Sequence, residues 1–286
     1  GILTLDGTLG DDTASVSQVN NLSRTFEANL NATTRTIALG RMESISEIVF
    51  EGRAGDDTFV NNTDFDSDAN GGQGNDTLTG GTGTDNLEGG GGDDTLVGGG
   101  GVDYLHGGEG TDSLSGGDGD DYMYGDDGQD VMDGGEGDDR MYGGDDADSM
   151  TGGPGDDRVF GQSGADTLEG EDGDDYIDGS DGDDVINGGD GDDTIDGGAG
   201  DDSIAGQSGN DIITAGAGID TVIWNGLGNG SDTILASDGA EALTVQGDSG
   251  VNNYSVGSNS GLLTVTEGGA SITVATSTTT INVNGG

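Results

Sequence analysis

The sequence predicts an all-β protein, a solenoid of short stacked strands flanked by two short β-rich spacer modules. Three observations lead to this fold class. Glycine supplies 64 of the 286 residues, a nine-residue period runs through the middle of the chain, and apolar and polar residues alternate on both sides of it. A fixed period marks a repeat fold, and alternation is typical of strands.

The composition excludes a conventional core and several classes of partner. The chain has 58 acidic residues against 6 basic ones, a formal charge of −52, and 29% hydrophobic residues. This charge is typical of disordered chains, so something besides apolar burial must hold a fold together. We expect no nucleic-acid partner and no anionic membrane surface, because both require clustered basic residues and the chain has no lysine.

The side-chain chemistry favours one kind of metal ion. The absence of cysteine excludes disulfides and thiolate metal sites. Carboxylates and the backbone carbonyls of glycine-rich turns are hard oxygen ligands, which suit calcium and, less well, magnesium.

The period is unbroken over residues 71–223. Written from Gly71 in rows of nine, the chain gives GGQGNDTLT, GGTGTDNLE, GGGGDDTLV and so on to AGAGIDTVI, 17 rows in all. The sixth place is always aspartate, and the eighth is always Leu, Ile, Val or Met. The fourth is glycine in every row but one, where Asp146 occurs. A glycine-rich linker would need no such phase.

Each row can be interpreted physically as a turn followed by a strand. Glycine in the first six places permits positive φ and leaves backbone carbonyls free to point inward. The last three residues form a short strand whose eighth residue faces inward while the seventh and ninth face outward. A row must stack on neighbours to bury its one apolar residue.

The rows resemble the GGxGxDxUx nonapeptide of the repeats-in-toxin (RTX) family, the hemolysin-type calcium-binding repeats. The resemblance implies a right-handed parallel β-roll with 18 residues per coil. It also implies calcium ions between adjacent turns, held by backbone carbonyls and by the sixth-place aspartates. These are Asp76, Asp85, Asp94, Asp103, Asp112, Asp121, Asp130, Asp139, Asp148, Asp157, Asp166, Asp175, Asp184, Asp193, Asp202, Asp211 and Asp220.

One ion per gap between turns gives about 15 Ca²⁺, which would cancel about 30 of the 52 net negative charges. The turn that contains Asp146 lacks the backbone freedom of glycine at that place, so we expect its two ion sites to form less readily than the others. The second-place replacements Asp126, Gln162, Glu171, Ser180 and Gln207 are expected to be tolerated.

The rows divide the chain into four parts. Residues 1–51 form an N-terminal β-rich spacer, and residues 52–70 contain an isolated repeat, GRAGDDTFV, and an irregular insert. Residues 71–223 form the roll. Residues 224–286 contain an outlying repeat, LGNGSDTIL, and a C-terminal β-rich spacer. The two spacers resemble each other in spacing, which indicates a tandem unit of spacer and roll.

The 18-residue coil predicts that one outward face carries an unusual set of side chains. Six of the 12 aromatic residues and two arginines fall on it: Tyr104, Tyr122, Tyr124, Arg140, Tyr142, Arg158, Phe160 and Tyr176. Such a patch is typical of an interface, although stacking and cation–π contacts within the sheet would also explain it.

We expect no enzyme activity. The GDSG at 247–250 resembles the nucleophile segment of trypsin-like proteases, but the chain's one histidine, His106, lies in a repeat strand. The favoured interpretation is an extracellular or cell-surface structural protein with bacterial-type secretion, assembling with itself into a fibre, sheath or surface layer. The alternatives are the secretion and folding module of a type I exported RTX enzyme or toxin, and an adhesin that binds surface glycans.

Overall fold

The computed structural model describes residues 2–8, 10–20, 25–30, 33–38, 46–224, 232–235, 242–247, 257–259, 262–267, 270–275 and 280–284. Every regular element within these ranges is a β-strand, and no apolar helix of membrane-spanning length occurs in them. The chain forms two compact units, Gly1–Arg140 and Met141–Gly286.

The described residues of the first unit form 14 strands: β1 Ile2–Asp6, β2 Thr13–Asn20, β3 Thr25–Leu30, β4 Thr33–Ala38, β5 Glu47–Ala54, β6 Thr58–Asn62, β7 Asp66–Gln73, β8 Thr77–Gly81, β9 Asn86–Gly91, β10 Thr95–Gly100, β11 Tyr104–Glu109, β12 Ser113–Asp118, β13 Tyr122–Asp127 and β14 Val131–Glu136. They form two sheets, in the orders β1-β5-β7-β9-β11-β13 and β4-β3-β2-β6-β8-β10-β12-β14.

The second unit contains the remaining strands, the first of which begins at the last residue of the first unit: β15 Arg140–Asp145, β16 Ser149–Pro154, β17 Arg158–Ser163, β18 Thr167–Asp172, β19 Tyr176–Asp181, β20 Val185–Asp190, β21 Thr194–Asp196, β22 Ser203–Ser208, β23 Ile212–Thr214, β24 Thr221–Trp224, β25 Thr233–Leu235, β26 Ala242–Gly247, β27 Gly257–Asn259, β28 Leu262–Glu267, β29 Ala270–Ala275 and β30 Thr280–Asn284. Their sheet orders are β15-β17-β19-β21-β23-β25-β29-β28-β27 and β16-β18-β20-β22-β24-β26-β30.

Both units are parallel β-rolls, which confirms the predicted fold class. Successive repeat strands alternate between the two sheets, and a strand of the regular coils pairs in parallel with the strand 18 residues further along, as in Thr95↔Ser113 and Ser149↔Thr167. All 17 eighth-place residues from Leu78 to Val222 are at most 2% exposed. The core of each unit is therefore a stack of single apolar side chains, one from each strand.

The glycine-rich turns have positive φ at two places. All 17 second-place residues have positive φ, and so do the fourth-place residues other than Gly83. Asp146 takes φ +77 at the fourth place, and the second-place Gln162 takes φ +75. The backbone of these residues therefore adopts the conformation that glycine favours, at some cost in energy, and the turn keeps its shape.

Some coils depart from 18 residues, and the longest of those next to the repeats pairs Thr221 with Thr244, an offset of 23. Thr58 pairs with Thr77, an offset of 19, so the predicted insert lies within a coil formed by β6, a short turn and β7. Ile212 pairs with Thr233, an offset of 21. Extra residues are accommodated in the turns, while the parallel strand pairing continues through these coils.

Candidate metal centre

The structure places the 17 predicted ligand aspartates in the interior of the turns. None is more than 3% exposed. They form two rows in each unit, because successive repeats turn on opposite sides of the roll. Within a row, each aspartate lies one coil from the next.

In most of these aspartates one carboxylate oxygen accepts a hydrogen bond from the backbone of the preceding coil. The Asp76 N–H donates to Asp94 Oδ1 at 2.7 Å, and the Asp85 N–H donates to Asp103 Oδ1 at 2.8 Å. In the second unit the Asp166 N–H donates to Asp184 Oδ1 at 2.8 Å. These bonds hold successive carboxylates in line along the row.

In many of the described aspartates the other carboxylate oxygen is buried and has no hydrogen-bond donor. Within the described residues, Oδ2 has no hydrogen-bond partner in Asp57, Asp76, Asp85, Asp94, Asp103, Asp112, Asp121, Asp166, Asp175, Asp184, Asp193, Asp202 and Asp211. A buried carboxylate oxygen without a donor or a cation is unfavourable. These rows of oxygens are the main indication of a bound positive charge.

The first-place glycine makes room for this oxygen. A methyl group at Gly80 would lie 2.4 Å from Asp85 Oδ2 and 2.7 Å from the carbonyl oxygen of Gly98, one coil further on. At Gly161 the corresponding distances to Asp166 Oδ2 and to the carbonyl oxygen of Gly179 are 2.3 and 2.9 Å. Glycine is therefore needed here for space, and a carboxylate oxygen and a backbone carbonyl approach each other at this point.

Burial raises the pKa values of most of these aspartates above the ordinary 3.8. The pKa is about 8 for Asp193 and about 7 for Asp85, Asp94, Asp121 and Asp139. Loss of solvation is the main cause, and neighbouring carboxylates add to it for Asp193 through Asp211 and Asp175. Bound protons or cations therefore stabilise these carboxylates in the folded state.

The donor set fits calcium. The available atoms are carboxylate and carbonyl oxygens, the ligands that Ca²⁺ takes in flexible geometry, whereas Mg²⁺ requires stricter octahedral sites. No three acidic or histidine side chains converge on one point in the described part of the chain. Backbone carbonyls must therefore complete any ligand set, as the resemblance implied.

The rows extend beyond the predicted aspartates. The Asp12 N–H donates to Asp57 Oδ1 at 2.5 Å, and the Asp211 N–H donates to Asp232 Oδ1 at 3.2 Å. All three added aspartates are buried. The outlying repeats already contained Asp57 and Asp232. The signal for Asp12 is GTLGDDTAS at residues 7–15, with glycine in places one and four and aspartate in place six.

Aromatic side chains stack between coils in each unit. In the first unit Tyr104 stacks on Tyr122 with ring centroids 5.1 Å apart, and His106 on Tyr124 at 4.4 Å. In the second, Tyr142 stacks on Phe160 at 4.9 Å. His106 Nδ1 also lies 3.5 Å from Asp126 Oδ2, and residues 248–250 of GDSG lie outside the described residues.

The sequence matches the RTX calcium-binding nonapeptide repeat at residues 62–96, 70–105, 97–132, 124–159, 133–168, 160–195 and 187–222. These matches cover more than half of the chain, and the protein belongs to this family. No curated protein matches the sequence.

Among solved structures, the extracellular lipase LipA from Serratia marcescens aligns with 69% of this chain at 15% identity and a TM-score of 0.23. The alignment covers 38% of the lipase. Neither the identity nor the TM-score supports a shared overall structure or activity.

Proposed function

We propose that this protein is an extracellular calcium-binding structural protein whose roll is folded and stiffened by Ca²⁺. The observation that carries the proposal is the set of buried Oδ2 atoms that lack a hydrogen-bond donor. Bound calcium supplies positive charge and coordination to these oxygens. The aspartates hold their carboxylates in line through the Oδ1 bonds, and the first-place glycines admit both oxygens to the turn.

The ligands in this proposal are the 17 sixth-place aspartates together with turn carbonyls, with about 15 ions in the gaps between successive turns of a row. Native mass spectrometry across a calcium titration tests the number. Binding that saturates at one or two ions per chain would contradict a repeated site.

The proposal includes head-to-tail assembly into a fibre, sheath or surface layer. A solenoid ends in strand edges whose backbone groups can pair with another chain, and a head-to-tail contact that does not close gives a filament. Lateral contacts would use the aromatic and arginine face, where Arg140 and Arg158 are exposed.

Sedimentation and electron microscopy in calcium test assembly. Replacing Arg140 and Arg158 together by Glu is expected to weaken lateral association while circular dichroism in calcium stays unchanged. A protein that remains monomeric in calcium at high concentration would exclude the fibre.

The second candidate is the secretion and folding module of a larger type I exported protein. Membership of the RTX family supports it, as does the charge of −52, which disfavours folding before calcium is met. A catalytic domain in the same full-length protein, together with a monomeric roll, would favour this candidate. In either case we propose that the present chain itself is not an enzyme.

A further inference from the structure

The two ends of the chain contain the same parallel strand pair. In the first unit β1 pairs with β5 from Ile2↔Glu47 to Asp6↔Glu51. In the second unit β26 pairs with β30 from Ala242↔Thr280 to Gln246↔Asn284. Both pairs contain five residues per strand, and ILTLDG aligns with ALTVQG and IVFEG with INVNG in the same register.

The two ends also contain the same antiparallel strands. β3 pairs with β4 from Thr25↔Ala38 to Leu30↔Thr33, and β28 pairs with β29 from Leu262↔Ala275 to Glu267↔Ala270. Each hairpin has six pairs and a two-residue connection. The preceding strand is antiparallel in both cases, β2 to β3 and β27 to β28. Strands β1–β5 and β26–β30 are therefore two copies of one connector module.

The two copies contact their rolls through different strands. In the N-terminal copy β5 pairs with β7 and β2 pairs with β6, so this copy meets the first coil of a roll. In the C-terminal copy β26 pairs with β24 and β29 pairs with β25, so this copy meets the last coil of a roll.

The strands that one copy uses are terminal in the other. Among the described strands, the sheets of the second unit end at β27 and β30, which correspond to β2 and β5. Those of the first unit end at β1 and β4, which correspond to β26 and β29. Each module thus has one pair of edge strands that matches a last coil and another that matches a first coil, and among the described strands only one pair is engaged at each end.

We propose that the connector module is two-sided and joins the last coil of one roll to the first coil of another. Strands β27 and β30 would pair in parallel with the strands of a first coil, one that resembles the coil formed by β6 and β7. Strands β1 and β4 would pair with the strands of a last coil, one that resembles the coil formed by β24 and β25. The partner is a second roll of this repeat type, so the inference names the contact in the proposed head-to-tail assembly and rests on that assembly.

The chemistry of the seat is backbone pairing by strand addition. A terminal strand presents N–H and C=O groups in the spacing that a parallel partner needs. β5 shows the outcome, because its parallel pairing with β7 extends over seven residue pairs, from Glu47↔Asp66 to Ala54↔Gln73. β30 has no proline, lysine or other charged residue that would block a partner.

A two-roll fusion tests the proposal. Because Gly285–Gly286 align with Gly52–Arg53, residues 54–286 are appended directly after Gly286 of the full chain. Hydrogen exchange is then measured in calcium on peptides covering the first copies of β27 and β30. We expect exchange there to slow by about tenfold or more relative to the single chain, and to approach that of β5.

A fusion with one extra glycine after Gly286 is the matched control. A one-residue shift reverses which side chains of the added strand face the core, so the control should protect β30 much less. Equal exchange of β27 and β30 in the single chain and the fusion would overturn the connector, whether or not the ion count doubles. A single chain that binds no calcium would instead overturn the proposed function.

Discussion

The turn at residues 61–67 and the repeat turns that follow it all connect strands of the roll, but different kinds of side chain are buried inside them. Within the described residues, the interior of repeat turns such as those of Asp85, Asp94 and Asp166 holds carboxylates whose Oδ2 atoms have no hydrogen-bond donor. In the turn at 61–67 the interior holds neutral side chains. Asn61 Nδ2 donates to the Phe65 carbonyl at 2.8 Å and to Ser67 Oγ at 2.9 Å, and the Thr63 hydroxyl donates to Asn61 Oδ1 at 2.6 Å.

The comparison shows that a coil of this roll can be closed in two ways. Ser67 takes the place of the aspartate one coil before Asp85, and its N–H donates to Asp85 Oδ1 at 2.5 Å as a sixth-place residue does. The hydrogen bond from backbone N–H to carboxylate Oδ1 is therefore kept between these two coils. Ser67 itself has no charged side chain, so it needs no cation. Neutral hydrogen bonds need no ion, whereas buried carboxylates make folding depend on one.

Removal of calcium is expected to have the largest effect. In excess chelator the circular dichroism should shift from β to coil, and magnesium should restore it poorly, because binding free energy contributes directly to the folded state. During stepwise removal, hydrogen exchange should quicken first in β10–β24 and last in β6 and β7. A β spectrum that is unchanged in chelator, or uniform exchange along the chain, would contradict the comparison.

Acid should partly replace calcium in the repeat turns. The folded-state pKa values of about 6 for Asp184 and about 8 for Asp193 lie above the ordinary 3.8, so the folded state binds protons more tightly. This contribution to stability is fully present below pH 3.8 and is lost as pH rises through 6 to 8. Chelated protein should therefore show more β signal at pH 5 than at pH 8. The opposite trend would contradict it.

Single substitutions should separate the two kinds of position. Asp166→Ala removes a buried carboxylate from a repeat turn, and we expect a loss of about two ions, since two gaps share it. Asp64→Ala removes an exposed carboxylate from the turn at 61–67 and should leave the count unchanged. Calorimetric stoichiometry is the measurement. Equal losses from the two variants would mean that the sixth place has no special role.

Asn61→Ala should weaken the neutral turn by about 2 kcal/mol, because it leaves the Thr63 N–H and other buried groups unpaired. Urea unfolding at two saturating calcium concentrations should give the same loss, with no change in ion count. Replacement of the exposed neighbour Asn62 by Ala is the control. A loss that vanishes as calcium rises would place Asn61 in the ion-dependent part of the fold.

The smallest effect is expected at Asp146. Its φ of +77 costs about 1 kcal/mol for a residue with a Cβ, so Asp146→Gly should raise stability by about that amount. The exposed Asp145 has no positive φ, and Asp145→Gly should not stabilise the protein. Urea midpoints in calcium compare the two. Identical shifts would show that backbone strain is not the cause.

The period made the roll predictable from the sequence. The place of a residue within its row predicts whether its side chain faces inward. The burial of the sixth-place aspartates, Asp76 to Asp220, and of the eighth-place apolar residues, Leu78 to Val222, could therefore be foreseen. The family match rests on the same places. The separate roles of Oδ1 and Oδ2 could not be foreseen, because they depend on how closely the coils approach each other.

The sequence was less informative where rows are imperfect. Asp12 was missed because alanine stands at the eighth place of its row, which hides the apolar signal. The coil that contains Asn61 and Ser67 has one residue more than a regular coil, so its alignment with the repeats was lost. The likeness of the two spacers was visible in their spacing, but only strand pairing shows which edge each copy uses.

The 18-residue parallel pairing also has a mechanical consequence. The hydrogen bonds between coils run along the direction of stacking. A pull on the two ends of a roll would therefore break the contact of one coil at a time, starting at an end. A detached coil gives up about 5 Å of stack height and releases 18 residues, about 60 Å of extended chain. Each bound ion raises the force for its own step. Under tension, such a roll would lengthen in steps of one coil and would shorten again when the coils restack.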